Sequence, residues 1–478
     1  MSFYENIQET LAKKSVNVVI GDIYDFMAMW KEWYRGNVND FHFYNVKLSD
    51  GRTAQKERRT LNMPKKVCED FSKLEWSEKI EIKLDSPDAT ERLNEVLNSK
   101  ENAFKVNFSE FLEKEYALGT MVTVEYQKDG KTIIDYIDGD VVLPYMYTNN
   151  YINGIVTVSR TTEMEGKDKI YYTLLTYHEY NNGTYVTLKE LYMSKNESEL
   201  GKEMDFKSVY PNVKEIESVK TEYPRFQVWK LPIANNLDTA SPMGISILAN
   251  HIDKFKSIDI KYDSFDHEFI TGKRRVLVGK KAIKSEVVGV DENDNPVLVS
   301  YFDTEDDVYV AIGGMDDQPV KDINFDLRVQ EHIDGINMEL NYLSAGVGLG
   351  TGFYQFDKTG LKTATEVVSE NSDTYRTMVH HRIPIYDCLK DMISAICEIE
   401  GIPFTEVSIN LDDSIIEDTN KIRQQALTEY NAGLISKAEY FRITRKLEDE
   451  AVEKYVTQMN QEIQSQTISD GSEFNLKE

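Results

Sequence analysis

The sequence predicts an α+β protein, mainly α, on three observations. Rows of apolar residues stepping by three and four mark long helices within 245–269, 329–343 and 367–399. Two groups of short β-type runs, within 155–191 and 275–312, are punctuated by Gly, Asn and Asp turns. A glycine-rich segment, Ala345-Gly346-Val347-Gly348-Leu349-Gly350-Thr351-Gly352, has neither period and separates two of the helical rows.

The chain-wide numbers narrow the classes. At 478 residues the chain exceeds one core, so two or more modules are expected. Hydrophobic content of 41%, with four Trp, 28 Tyr and 20 Phe, argues for a folded protein. No apolar run approaches the roughly 20 residues that span a bilayer, and the start of the chain lacks the basic and apolar regions of a signal peptide. No membrane partner is expected. Cys68, Cys388 and Cys397 form neither metal-ligand spacing nor a disulfide framework, which suits a reducing compartment with no metal or cofactor. A formal net charge of −27 excludes a conventional DNA-binding protein, because affinity for phosphates comes from Lys and Arg. It is compatible with a surface past which DNA slides.

In chain order, Ile23, Phe26, Met27, Trp30 and Trp33 make one helix face, and Val67, Phe71 and Leu74 another, introduced by Asn62-Met63-Pro64. A third helix runs through Phe104, Phe108, Phe111, Leu112 and Tyr116 to Gly119, a residue suited to a left-handed C-cap. Strands follow with turns at Lys128-Asp129-Gly130 and Asp138-Gly139-Asp140; beyond them 155–158, 170–177 and 184–191 read as a meander bounded by Asn181-Asn182-Gly183, and 226–230 is a further strand. After a polar connector, Ile245, Leu248, Ile252, Phe255, Ile258, Tyr262, Phe265 and Phe269 form a narrow seam of the kind that packs against neighbouring helices. That rod would be roughly 35–40 Å long. Asp253, Lys254, Lys256, Asp259, Lys261, Asp263 and Asp266 form its outer face.

The period changes at Thr271-Gly272, and short strands follow within 275–278, 287–290, 297–302 and 308–312. Lys273, Arg274, Arg275, Lys280, Lys281 and Lys284 flank them as a solvated face or a phosphate-touching patch. The acidic turn 291–296 lacks the spacing of a calcium loop. A second seam, Val329, Ile333, Ile336, Leu340 and Leu343, leads into the glycines, which read as a mobile helix–helix connection. They alternate and follow a helix, with no Lys before Lys358, so they match neither a P-loop nor a dinucleotide fingerprint. Thr363-Ala364-Thr365-Glu366 is a capping box opening the last long helix, which Pro384 is expected to interrupt and kink. His380 and His381 are adjacent and cannot share a helix face, which argues against a metal site. Residues 412–459 read as charged helix broken at Gly433 and recapped at Ser436, and 461–478 as a polar, disordered tail.

No Gly-x-Ser-x-Gly, His-Glu-x-x-His, Cys-x-x-Cys or Walker signature is present, and no enzyme activity is expected. The layout is mechanical: rod, small β module, rod, loop, rod. A stalk of two rods has too little core to stand alone, so its seams call for further copies, most simply in a closed ring.

Three stretches in succession carry a family likeness: Trp30-Lys31-Glu32-Trp33-Tyr34-Arg35-Gly36, Ser241-Pro242-Met243-Gly244-Ile245-Ser246-Ile247-Leu248 and Gly360-Leu361-Lys362-Thr363-Ala364-Thr365-Glu366-Val367. With them the chain resembles the portal proteins of tailed double-stranded DNA bacteriophages, in the branch typical of siphophages of Gram-positive hosts. The resemblance implies a portal fold: wing (1–242), first stem helix (243–270), β clip (271–326), second stem helix (327–345), tunnel loop (346–362), long kinked helix (363–401), crown (402–460) and tail (461–478). It implies that Gly346, Gly348, Gly350, Gly352, Tyr354, Gln355 and Lys358 face DNA, with Lys273, Arg274, Arg275, Lys280, Lys281 and Lys284 as a basic clip patch. Ile245, Leu248, Ile252, Phe255, Ile258, Tyr262, Ile333, Ile336 and Leu340 would pack the stem.

The implied assembly is a dodecamer at one capsid vertex of the virion, built in the host bacterial cytoplasm. Its partners would be the terminase large subunit, a head–tail connector, major capsid and scaffolding proteins, and double-stranded DNA in non-specific passage. The competing readings are a ring-shaped component of a prophage-derived or gene-transfer particle, and a cytosolic α/β enzyme.

Overall fold

Three apolar clusters hold the chain together; helix Phe104–Leu118 links the second to the third, and the strand after it links the second to the first. The computed structural model of the protein describes residues 3–47, 51–76, 80–272, 275–279, 285–290, 296–300, 309–312, 320–323, 326–356, 364–411, 419–445 and 452. Among these, eleven α-helices and eighteen strands make a mixed α/β architecture.

The first cluster lays helices Phe3–Lys13 and Ile23–Arg35 on a six-stranded antiparallel sheet. Strands Val142–Thr148, Tyr151–Glu165, Asp168–Asn181 and Thr184–Ser194 follow one another as a meander, and Lys202–Met204 and Ile216–Lys220 both pair with the last of them. The Asn182-Gly183 turn has positive φ at both residues, the primed geometry that matches strand twist. Asp129-Gly130 does the same between Thr120–Lys128 and Lys131–Asp138.

The second cluster gathers helices Pro87–Leu97 and Phe104–Leu118 with the sheet Phe226–Lys230, Thr120–Lys128, Lys131–Asp138. Ser86 caps the first of these helices, its Oγ accepting from the Ala89 amide at 3.1 Å. Ile385, Leu389, Met392 and Ile396, at steps of three and four on helix Ala364–Glu400, complete the cluster from above. Strand Val407–Asn410 then returns to pair antiparallel with Glu81–Leu84, tying the late chain to its beginning. The third cluster joins Trp33, Phe71 and Tyr116 to the antiparallel helix pair Ile252–Thr271 and Val329–Gly346. Between that pair lies a β module in which Arg275–Gly279 pairs parallel with Tyr309–Ile312 and antiparallel with Val320–Ile323. Ser285–Val290 and Pro296–Ser300 pair antiparallel as a separate two-stranded sheet.

Several expectations need correction. The first seam helix begins at Ile252, after a 3₁₀ turn at Ala249–His251, not near residue 243. At about 1.5 Å per residue its 20 residues span about 30 Å, shorter than the sequence suggested. Residues 241–248 instead form a strap across the end of helix Phe104–Leu118. The Gly244 amide donates to Thr120 Oγ1 at 2.8 Å, and Ser246 Oγ and the Ile247 amide donate to the Tyr116 carbonyl at 2.8 and 3.1 Å. Backbone groups committed there cannot also serve a helical ladder. Ile245 is therefore a core residue of the body's first cluster, while Leu248, also ahead of the helix, lies in the third cluster with Phe255, Ile258, Ile336 and Leu340. Gly119, at φ +78° as expected of a C-cap, sits so close to the strap that a Cβ would fall 2.1 Å from the Ile245 carbonyl carbon.

Asp259 does not lie on an outer face; it is buried and bonded to the N-terminal body. The last long helix runs through Pro384 as one element, Ala364–Glu400, where an interruption was expected. Sequence reading also passed over helices Phe3–Lys13 and Pro87–Leu97, hairpin Phe43–Lys47/Thr53–Glu57 and strand Val320–Ile323. Helices Thr419–Asn431 and Lys437–Arg445 flank Gly433 as expected, and Ser436 Oγ accepts from the Glu439 amide at 3.1 Å. Lys273, Arg274, Lys280, Lys281, Lys284, Lys358, the cap Thr363, the acidic turn before Pro296 and the tail 461–478 lie outside the described residues.

Candidate functional site

The glycine segment is fastened down rather than slung. Helix Val329–Gly346 ends in a Schellman arrangement: the Leu349 amide donates to the Ser344 carbonyl at 2.9 Å, and Gly348 to Ala345 at 3.2 Å. Gly348 takes φ +83°, and a Cβ there would meet Thr377 Oγ1 at 2.6 Å. The chain then folds back along the helix it has just left. Ser344 Oγ accepts from the Tyr354 amide and Asn337 Oδ1 from the Phe356 amide, each at 3.2 Å. On the other side, helix Ala364–Glu400 supplies Thr377 Oγ1, donating to the Gly348 carbonyl at 2.6 Å, and Thr374 Oγ1, accepting from the Gly350 amide at 3.2 Å. Val347 and Leu349 are buried in the third cluster. Gly348→Ala should cost at least about 1–2 kcal/mol from backbone conformation alone. A thermal midpoint equal to the parent's would show that the helix end does not depend on this geometry.

The helix pair is locked internally and to the body. Lys261 Nζ lies 2.7 Å from Glu339 Oε1, which also accepts from Ser257 Oγ at 3.0 Å. Burial pushes the Glu339 carboxyl up, and these two donors more than reverse it, leaving it below the ordinary range. At the far end Arg328 grips Glu268 with Nε at 3.1 Å and Nη2 at 2.7 Å, and this hydrogen bonding holds the carboxyl down at about 2. Asp259 takes the Leu61 amide at 2.9 Å and Thr60 Oγ1 at 3.0 Å, with His42 Nε2 3.2 Å away. Desolvation nevertheless raises its pKa.

The long helix is anchored through two adjacent residues. His381 stacks on Phe71 and Tyr116 and shares a hydrogen bond with the Tyr116 hydroxyl at 3.1 Å; burial, then His380, lowers its pKa to about 4, so it is neutral. Arg382 Nε donates to Glu75 Oε2 at 2.9 Å inside the body, and Nη2 to the Leu74 carbonyl at 3.3 Å. Glu115 lies close enough to Glu75 to be perturbed by it; burial first, and Glu75 second, push it up to about 8.

Of the residues singled out from sequence, Gly346 is the last residue of its helix, and Gly348, Gly350 and Gly352 follow in the fastened loop. Tyr354 does not face outward. Its ring fills the third cluster beside Asp70, where an aromatic ring gains more than at a surface, and burial first and Asp70 second drive its hydroxyl pKa far up. Gln355 is half-buried, and Phe356 is exposed. Phe255, Ile258, Ile336 and Leu340 are buried; Ile252, Tyr262 and Ile333 are half-buried. They lie in one cluster with Trp33, Val67 and Phe71 of the same chain, and Trp33 stands 6.3 Å from Phe255, ring to ring.

The residues that position the loop, Asn337, Ser344, Thr374 and Thr377, escaped sequence reading. Their signal was present: Asn337 and Ser344 are polar positions inside an apolar seam. Among the described residues no three His, Cys, Asp or Glu side chains are placed to hold a metal ion, and no helix is long and apolar enough to cross a membrane.

A family profile described as phage portal protein, SPP1 Gp6-like, matches residues 22–467. No curated protein matches the chain. The profile runs through the body, the helix pair, the β module between its helices, the fastened loop and the long helix alike. A family of that description is structural and not enzymatic. The chain thus belongs to the phage portal proteins of the SPP1 Gp6-like family, which form a ring at a bacteriophage capsid vertex through which DNA is packaged.

Proposed function

We propose that residues 346–362 are the part of this portal that meets the moving DNA, in a dodecameric ring. The observation that carries the reading is the loop's attachment: side chains of two long helices hold four backbone groups between Gly348 and Phe356, so this part of the loop sits on a rigid mount. Helices Ile252–Thr271 and Val329–Gly346 act as the stem, residues 271–326 as the clip, the body before residue 243 with the long helix as the wing, and the helices after residue 402 as the crown. With Tyr354 committed to the core, Gln355 and Lys358 are the loop side chains that reach DNA, and the flanking glycines let the backbone approach it. Contacts this sparse brake the duplex only transiently, because each added cationic contact would hold it through counterion release.

The terminase large subunit docks on the ring during packaging and a head–tail connector afterwards. Major capsid and scaffolding proteins surround it during assembly in the host cytoplasm. The clip cations Lys273, Arg274, Arg275, Lys280, Lys281 and Lys284 line the exit; unchanged packaging after joint replacement of Lys273, Arg274 and Arg275 would remove that assignment. Electron microscopy of the purified full chain is expected to show rings with a duplex-wide hole and more Asp and Glu than Lys and Arg on the inner wall. A predominantly basic bore, or a protein that sediments as a monomer at every concentration, overturns the reading.

A further inference from the structure

One stretch runs against the charge of the rest. Acidic residues outnumber basic ones 82 to 55 over the chain, yet between Lys47 and Arg59 five cations, Lys47, Arg52, Lys56, Arg58 and Arg59, stand against only Asp50 and Glu57. Strands Phe43–Lys47 and Thr53–Glu57 form a two-stranded sheet of their own. Such a ribbon is marginal by itself in water, and this one is fixed at its base. His42 Nδ1 accepts from the Val38 amide at 2.8 Å, and its Nε2 stands 3.2 Å from Asp259 Oδ2. The Arg58 guanidinium lies over the rings of Phe41 and Tyr44, 4.2 and 4.8 Å from their centroids. The Arg59 amide donates to Asp263 Oδ1 at 3.0 Å, so the ribbon stands beside helix Ile252–Thr271. Beyond that base Asn45, Lys47, Thr53, Gln55 and Lys56 are all exposed.

The register puts cations on both faces of the ribbon. Lys56 pairs with Tyr44 and Lys47 with Thr53, and side chains alternate between faces along each strand. Lys56 thus shares a face with Arg58, and Lys47 lies on the other, about 10 Å further from the base. Glu57 shares the face of Lys47 but sits four positions nearer the base, about 13 Å away. Asp50 lies outside the described residues. Among the described residues neither Lys47 nor Lys56 has a carboxylate partner, whereas Lys65, Lys66 and Lys73 on the following helix are all ion-paired. Charge along a free edge guards against strand-to-strand aggregation. Carboxylates would serve that purpose equally and are the commoner charge here, so edge protection does not explain the sign. Unpaired cations on both faces of a narrow ribbon call for anions on both sides of it. The acidic surface of another protein meets one face at a time. The major groove of a duplex is about 12 Å wide and admits a two-stranded ribbon between two phosphate-lined walls.

We infer that the ribbon 43–57 is a contact for the phosphate backbone of duplex DNA, separate from the loop at 346–362, with Lys47 and Lys56 each neutralising a phosphate. The inference goes beyond the loop assignment and does not depend on it. The test titrates the purified full chain into a fluorescein-labelled linear duplex and follows anisotropy over a series of NaCl concentrations. Each phosphate contact contributes about 0.9 to the slope of log K against log salt. Lys47→Gln with Lys56→Gln should therefore flatten the slope by about 1.8. Lys66→Gln with Lys73→Gln, which removes lysines already ion-paired, should flatten it far less. Lys47→Arg with Lys56→Arg should keep the parent slope. A parent chain that binds no duplex at the lowest salt, or a slope that the first pair leaves unchanged, overturns the inference. Equal flattening by the two glutamine pairs would report net charge alone and overturns it as well, as does a flattened slope in the arginine pair. Rings lost in the first pair with the DNA slope intact would make the ribbon a contact between copies, which also overturns it. Both lysines are exposed, so each variant should keep the parent's circular dichroism spectrum.

Discussion

Replacing Arg382 by methionine removes about 3–5 kcal/mol from the stability of the folded chain, the usual cost of breaking a buried ion pair from one side. Its side chain is 10% exposed and that of Glu75 fully buried, so water cannot take the guanidinium's place. Urea unfolding of R382M against the parent measures the loss. Adding Glu75→Gln should restore much of it, because the double variant no longer buries an unpaired charge. A loss below 1 kcal/mol, or no recovery in the double variant, would mean that the pair does not hold the long helix to the body.

Glu115→Gln gives the opposite sign, with a pH signature. Burial places the Glu115 pKa at about 8 in the folded protein, against an ordinary 4.5. The folded state therefore holds a proton that the unfolded state has released. That contribution is fully present below about pH 4.5 and is lost as pH rises through about 8, amounting to at most about 5 kcal/mol. Glutamine resembles the protonated acid and does not titrate. The variant should match the parent near pH 5 and exceed it progressively from pH 6 to 9. Glu125, buried on strand Thr120–Lys128 and also pushed up by desolvation to about 8, should respond in the same way. Parallel stability curves for parent and variant across that range would show that Glu115 is not a buried neutral acid.

Most local elements were legible because their causes are local. The Phe104–Leu118 helix and its Gly119 end, the two primed turns, the strands flanking residue 291 and the cap at Ser436 each follow from residues within a few positions of one another. The family likeness was also legible, and the profile over 22–467 agrees with it. The glycine loop was located correctly and misjudged in character. Its glycines announce backbone freedom, but what removes that freedom is Ser344, Asn337, Thr374 and Thr377 from the helices on either side.

The seam from Ile245 to Phe269 shows why the remainder was hidden. Apolar spacing reports that a face will be buried, not what buries it. The strap at 241–248 and the helix from Ile252 carry the same period, yet backbone donors at Gly244 and Ile247 are claimed by Thr120 and Tyr116, more than a hundred residues earlier. Tyr354 could equally have faced solvent or core; the hole it fills is made by residues drawn from several distant segments. The sequence by itself determined the rods, turns, caps, acidic surface and family, since these depend on neighbours along the chain. Only the tertiary structure decided which apolar faces are covered within the protomer and which carboxylates are trapped without water, because both depend on groups that meet only after folding.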